Sequence, residues 1–227
     1  MMKYRLSTFL LGIAFIGFSQ NPMEKRVNNF TTVKVFDLIH ISLVKSDENK
    51  VIISGQDADD VEVLSKNGTL KVRMKFERSF DGTKTFVAVH YKNIEVIDGN
   101  EGSKIFSNEL IEQDKIELRA QEGAVLKVGL DVKELIVRAV SGGIIIPKGK
   151  AETQDITINT GGVFEGRDFD TKETYVKVTA AGEAEIKASD LADVKITAGG
   201  DVYIYGKPKK LNKKQTFGGR IEIRDGL

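Results

Sequence analysis

Four stretches decide the fold: VRAVSGGII at residues 137–145, ITINTGGVF at 156–164, VKVTAAGEA at 176–184 and VKITAGGDV at 194–202. Each sets an alternating apolar run, a small-residue corner and a second alternating run end to end. Period-two alternation on both sides of a corner marks two strands, each with one face inward. The corner glycines recur through the second half of the chain at Gly102, Gly123, Gly143, Gly162, Gly182, Gly200 and Gly219, spaced by 18 to 21 residues. The residue before is also glycine at Gly142, Gly161, Gly199 and Gly218, and alanine at Ala181.

Two residues after the last six corners come Val125, Ile145, Phe164, Ala184, Val202 and Ile221, an apolar column expected to point inward throughout. Four and six residues before the corners lie Ala139 with Val137, Ile158 with Ile156, Val178 with Val176, and Ile196 with Val194. A third inward row is suggested by Leu130, Ala151, Phe169, Leu191 and Leu211, with drifting spacing, and the Gly102 coil reads out of register by one. A unit of about twenty residues buries its apolar face only by stacking on copies of itself. The pattern therefore predicts an all-β chain whose second half is a parallel β-helix. An antiparallel sandwich would also alternate, but it would not hold one apolar column across six copies.

Upstream, β-branched runs predict strands over Thr32 to Phe36, Ile39 to Val44, Lys50 to Ser54, Val61 to Ser65, Thr69 to Phe76 and Thr85 to Tyr91. Asn67-Gly68 between two of them predicts a hairpin with a type I′ turn, since both central residues need positive φ. The expected division is a signal segment over 1–19, an N-terminal β-region over 20–95 that packs on or caps the solenoid, and coils over 96–227.

At the N-terminus, Lys3 and Arg5 precede an uncharged, mostly apolar stretch from Leu6 to Phe18, and Gly17 and Ser19 supply small residues before Gln20. This is the pattern of a secretory signal. At 1.5 Å per residue the stretch reaches about 20 Å, short of a hydrocarbon core of roughly 30 Å. No later segment is apolar enough to span a membrane. With 34 basic against 33 acidic residues the chain lacks the cationic excess of a nucleic-acid binder. It has no cysteine, which excludes disulfides, thiolate metal sites, a catalytic thiol and a lipidated cysteine.

Candidate chemistry is sparse. Enzymes that cleave acidic polysaccharides on β-helices need clustered carboxylates on one wall. The nearest match is an outward column of Glu165, Glu185, Tyr203 and Glu222, with Arg167, Lys187, Tyr205 and Arg224 expected in a second column beside it. A third outward column reads Lys177, Lys195 and Lys214. Charges of opposite sign in adjacent columns relieve stacked like charges, so a solvated, compensated wall is expected rather than a catalytic one. His40 and His90 lack a metal-motif spacing, and Asp57, Asp59 and Asp60 lack the glycine and distal glutamate of a calcium loop. Lys207, Lys209, Lys210, Lys213 and Lys214 form the one strong charge run. It either meets an anionic glycan or lipid head group, or keeps a terminal β-edge from pairing with another chain. No catalytic, cofactor-binding or metal-binding residue is assigned.

The chain resembles the auto-transporter adhesin head GIN domain family of exported bacterial proteins. The resemblance is carried by Phe30-Thr-Thr-Val-Lys-Val, Ile41-Ser-Leu-Val, Lys50-Val-Ile-Ile-Ser-Gly, Asn67-Gly-Thr-Leu-Lys-Val, the corner Ala198-Gly-Gly-Asp-Val, Val202-Tyr-Ile-Tyr-Gly-Lys-Pro and Phe217-Gly-Gly-Arg-Ile. It implies a right-handed β-helix with an N-terminal β-region, export, and no established enzymatic activity. Several corners carry Ile144, Val163 or Glu183 where the family pattern has Asp, so no binding residue carries over. The expected function is a non-enzymatic binding or cell-surface interaction module in the periplasm, on the outer surface or secreted, with a glycan, protein or envelope partner, no cofactor and no nucleic acid. A β-helix enzyme acting on extracellular polysaccharide and a purely structural envelope protein are the alternatives. Mass spectrometry of the exported form should find its N-terminus at or near Gln20; intact Met1 on a cytoplasmic protein would overturn the signal reading.

Overall fold

The computed structural model describes residues 22–224; the segment read as an export signal lies outside the described residues. Strands fill the N-terminal part as β1 (Met23–Arg26), β2 (Thr32–Val35), β3 (His40–Lys45), β4 (Lys50–Gly55), β5 (Val61–Lys66), β6 (Thr69–Met74), β7 (Thr85–Tyr91) and β8 (Val96–Gly99). Long strands then follow: β9 (Lys104–Ala120), β10 (Val125–Val140), β11 (Ile144–Asn159), β12 (Val163–Ala180) and β13 (Glu183–Ala198), with β14 (Asp201–Tyr205), β15 (Lys210–Phe217) and β16 (Arg220–Arg224) closing the chain. From β9 to β13 each strand lies parallel on the next, β14 and β15 both lie parallel on β13, and β16 lies on β14, giving a β-solenoid of about seven turns of about 19 residues. Each coil is one long strand that bends midway and turns sharply only at the small-residue corner. We call the halves after and before that corner the leading and trailing arms.

The strand expectations hold upstream, with β6 ending at Met74 because a short 3-10 turn, Phe76–Arg78, takes over. Asn67 and Gly68 have φ of 51° and 72° between antiparallel β5 and β6, the hairpin turn the dipeptide demands. β3 lies parallel on the leading arm of β9, and β8 and β2 continue its trailing arm. Both arms of the solenoid thus extend into the N-terminal region.

The inward column of the leading arm runs Ile53, Val87, Ile41, Ile105, Leu126, Ile145, Phe164, Ala184, Val202 and Ile221, each in register with the next. All but the half-buried Ile221 are sealed from solvent. Val125, expected in that column, points outward instead, and Leu126 fills its place. The cause is the turn. Glu122-Gly123 and Ser141-Gly142 are equivalent pairs of left-handed residues, closed by the Ala124 N–H donating to the Gln121 carbonyl (3.1 Å) and the Gly143 N–H to the Val140 carbonyl (2.9 Å). Gly123 therefore matches Gly142, not Gly143. Counting from it as though it were Gly143 slips the strand by one residue, which reverses its faces. The Gly102 coil shares the register of Gly123, so the two early coils agree with each other.

Gly143 and Gly162 serve a second purpose. A Cβ on Gly162 would lie 2.1 Å from the Ala139 carbonyl oxygen, and one on Gly143 would lie 2.2 Å from that of Ala120. A side chain would push successive coils apart where their backbones cross. The trailing arm buries Val137 with Ala139, Ile156 with Ile158, Val176 with Val178 and Val194 with Ile196, as the alternation requires.

The third row does not form one column. Leu130 and Phe169 flank Gly149, Ala151 pairs with Val132, Leu191 pairs with Glu173, and Leu211 lies on Ala192. Coil length varies at the bend, where the ladder shifts register between Ile145 and Gly149 and between Glu165 and Asp170. Extra residues are absorbed there as bulges. The interior position after the bend reads Ile116, Leu135, Gln154, Thr174, Ala192 and Leu211. Gln154 and Thr174 are fully buried, the Gln154 amide nitrogen donating to Thr174 Oγ1 at 2.9 Å, with Thr171 Oγ1 2.7 Å beyond, while Gln154 Oε1 has no side-chain or backbone partner.

Phe164 is fully buried above the small Ala184, whereas its neighbour Glu165 faces solvent. Truncating Phe164 to Ala should cost about 3 to 5 kcal/mol in chemical denaturation, because the coil below offers no side chain to fill the cavity. Glu165→Gln should cost about half a kcal/mol or less; equal losses would contradict the register.

Candidate functional site

In-register stacking makes the outer surface legible in columns, each residue beside its counterpart about 4.8 Å away. On the leading arm Glu165, Glu185, Tyr203 and Glu222 form a column, as expected. The second expected column is only partly assembled. Lys187, Tyr205 and Arg224 are in register, but the residue facing Lys187 from the preceding coil is Asp170. Arg167 lies in the bulge between Glu165 and Asp170, a displacement that no column count from the corner could reveal.

From that bulge Arg167 reaches across the coils. Its Nη2 donates to Glu185 Oε1 at 2.9 Å and to the Tyr205 hydroxyl at 2.6 Å, and the guanidinium lies 4.5 Å from the Tyr205 ring centre. The Tyr205 hydroxyl donates in turn to the same Glu185 oxygen at 3.1 Å. Hydrogen bonding to Glu185 raises the Arg167 pKa above its ordinary value. One coil on, Arg224 covers the Tyr203 ring at 3.7 Å and approaches Glu222 at 3.5 Å. Two carboxylates of the column are thus engaged by arginines. Acid–base cleavage needs such groups open to a substrate.

The bend carries a different arrangement. Glu112, Asp131, Lys150, Asp170 and Lys187 follow one another in the ladder, and after the first pair the sign changes at every coil. Ion pairs join successive coils at Lys133–Asp114 (2.7 Å), Lys150–Asp131 (3.2 Å), Lys172–Glu152 (3.2 Å), Lys187–Asp170 (2.8 Å) and Lys209–Asp190 (2.7 Å). Each exposed pair is worth little alone. The alternation nevertheless removes the repulsion that stacking like charges would create.

The trailing arm breaks that rule. Arg119, Arg138, Thr157, Lys177, Lys195 and Lys214 occupy one outward column over six coils. Toward the N-terminus it continues through Asp98, Lys34 and Lys71. Arg119 is held by Glu117 at 2.6 Å and Lys34 by Asp98 at 3.2 Å. Among the described residues, no ion pair includes Arg138, Lys177, Lys195 or Lys214, and these four side chains are exposed. Counting five residues back from the corners reaches Lys177, Lys195 and Lys214, and the same count from Gly143 reaches Arg138; Arg119 falls outside it because Gly123 matches Gly142 and not Gly143.

The remaining candidates lie apart. His40 meets the Phe86 ring edge-on at 5.3 Å, and burial, with Lys104 nearby, lowers its pKa. His90 pairs across the sheet with Lys50 at the other end of β3 and β7, so the two histidines do not converge. Asp57, Asp60 and Asp81 surround Arg78, whose Nη2 lies 2.8 Å from Asp57 and 2.7 Å from Asp81, while Lys75 reaches Asp60 at 3.2 Å. Asp57 and Asp60 of the acidic turn are therefore paired with cations in and just before the 3-10 segment. Within the lysine run, Lys209 is tied to Asp190, Lys214 joins the cationic column, and Lys213 sits in register with the apolar Val194.

These features define a class: an all-β solenoid protein with charged columns on its outer surface. The chain belongs to the family described as "Putative auto-transporter adhesin, head GIN domain", whose model matches residues 29–208. A putative adhesin of Bacteroides fragilis has the same fold, with TM-score 0.82 at 14% identity over 89% of this chain and 96% of its own. One from Parabacteroides merdae gives 0.67 at 18% over 90% and 95%, and a protein of Parabacteroides distasonis named a putative lipid binding protein gives 0.68 at 16% over 91% and 98%. No curated protein matches the chain.

Charge reversal should separate the two column types. Lys133→Glu would stack three acids in consecutive coils, between Asp114 and Glu152, and should lower the unfolding midpoint at low ionic strength, with added salt restoring it. Lys195→Glu would set an acid between Lys177 and Lys214 and should raise the midpoint under the same conditions. Paired thermal melts at low and high salt check both.

Proposed function

We propose that this protein is an exported, non-enzymatic binding module of the bacterial cell envelope or surface, which presents the rigid outer face of its solenoid to a partner. The observation that carries the reading is the tying of Glu185 by Arg167 and Tyr205, with Glu222, two coil steps on, held by Arg224. Of the glutamates in that column, Glu185 thus joins successive coils and Glu222 is paired within its own strand. A stack whose repeats touch only their neighbours also gives a long, stiff surface, which suits recognition more than closure around a substrate. Membership of an adhesin-named family supports the same reading, as does the signal-like N-terminus. Among the described residues no helix is long and apolar enough to cross a membrane.

The test is incubation with acidic polysaccharides and calcium, together with fractionation of the native host. We expect no reducing or unsaturated ends, and recovery of the protein from the periplasmic, surface or secreted fraction. Release of such ends, lost in Glu185→Gln, would replace this reading with that of a polysaccharide-cleaving enzyme.

A further inference from the structure

The geometry points to a ligand class for this module: we propose that the trailing arm binds a linear acidic polysaccharide laid along the solenoid axis, its carboxylates on the cationic column. This rests on the binding-module reading and names its ligand. The bend shows that this sequence can alternate charges coil by coil, with five inter-coil ion pairs. On the trailing arm it stacks Arg119 on Arg138, and Lys177 on Lys195 on Lys214. Stacked cations repel at this spacing. An anion shared along the column would turn that repulsion into attraction.

The surroundings favour a glycan over other polyanions. The column is one residue wide and spans five coil steps, about 24 Å. It thus suits an extended chain and not a flat bilayer or a duplex. Two residues further along each strand come Gln121, Val140, Asn159, Thr179, Thr197 and Thr216, a parallel row of mostly uncharged donors and acceptors matching sugar hydroxyls. On the other flank the exposed ring of Tyr175 stands two residues before Lys177, able to stack on a sugar face. At the N-terminal end a shallow depression of about 350 Å³ is lined by Lys34, Asp98, Glu117, Arg119, Gln121 and Arg138. The acids of this arm are largely engaged: Glu117 by Arg119, Glu134 by Lys115, Glu173 by Tyr175 and Asp193 by Asn212. Asp155, beside Thr157, marks the one coil where the cationic column lapses.

The experiment uses the mature protein and immobilised alginate, a polyuronate, with dextran as the neutral control and phosphatidylglycerol vesicles and single-stranded DNA as competing polyanions. We expect retention on alginate at low salt, none on dextran, and affinity falling about tenfold or more in a K177Q/K195Q/K214Q variant. A control variant of equal charge, K133Q/K150Q/K172Q, should keep wild-type affinity, and thermal melts confirm that both fold. Equal losses in the two variants would reduce the effect to net charge and overturn the site. Tighter column-dependent binding to vesicles or DNA than to alginate would overturn the glycan assignment. Failure of the wild type to bind alginate would overturn this proposal while leaving the non-enzymatic reading intact, because that one falls only on release of sugar ends.

Discussion

The solenoid depends on one constraint: successive coils lie parallel and in register, so each residue stacks on its own counterpart about one strand spacing away. Inside, the constraint is satisfied by stacked, mostly apolar side chains, with the bulky Phe164 set against the small Ala184. At the corner it demands small residues, because the Gly162 Cα approaches the Ala139 carbonyl too closely for a side chain. Outside, it forces a choice between alternating charge and accumulating it. The bend takes the first course and the trailing arm the second.

The same stacking explains why so much was legible in the sequence. From Ile145 onward, paired small residues mark the turn without ambiguity, and the inward residues of both arms follow by counting in twos. Earlier, the lone Gly123 leaves two registers open, and the wrong one exchanges Val125 for Leu126. Asp37 and Leu38 form another left-handed pair, with φ of 58° and 63°, and the Leu38 N–H donates to the Glu101 carbonyl at 2.9 Å. Without a glycine, that turn leaves no local signal.

Side-chain chemistry was less legible, and for a reason of geometry. Arg167 meets Glu185 and Tyr205 only because a bulge displaces it. Arg78 finds Asp57 across 21 positions of chain, a distance no local pattern spans. The ladder of ion pairs at the bend was hidden because coil length drifts there. Wherever spacing is constant, sequence order translates into position; wherever bulges absorb residues, it does not.

The strand order carries one mechanical consequence. It begins at β1 and ends at β16, so the two ends of the described chain lie at opposite ends of the sheet. A pull between them acts across the ladder, loading its hydrogen bonds a coil at a time and not all together. Such a body yields by peeling, each released coil lengthening the tether by some nineteen residues while the rest stays folded. Anchored at one end and loaded at the other, the solenoid would act as a graded shock absorber.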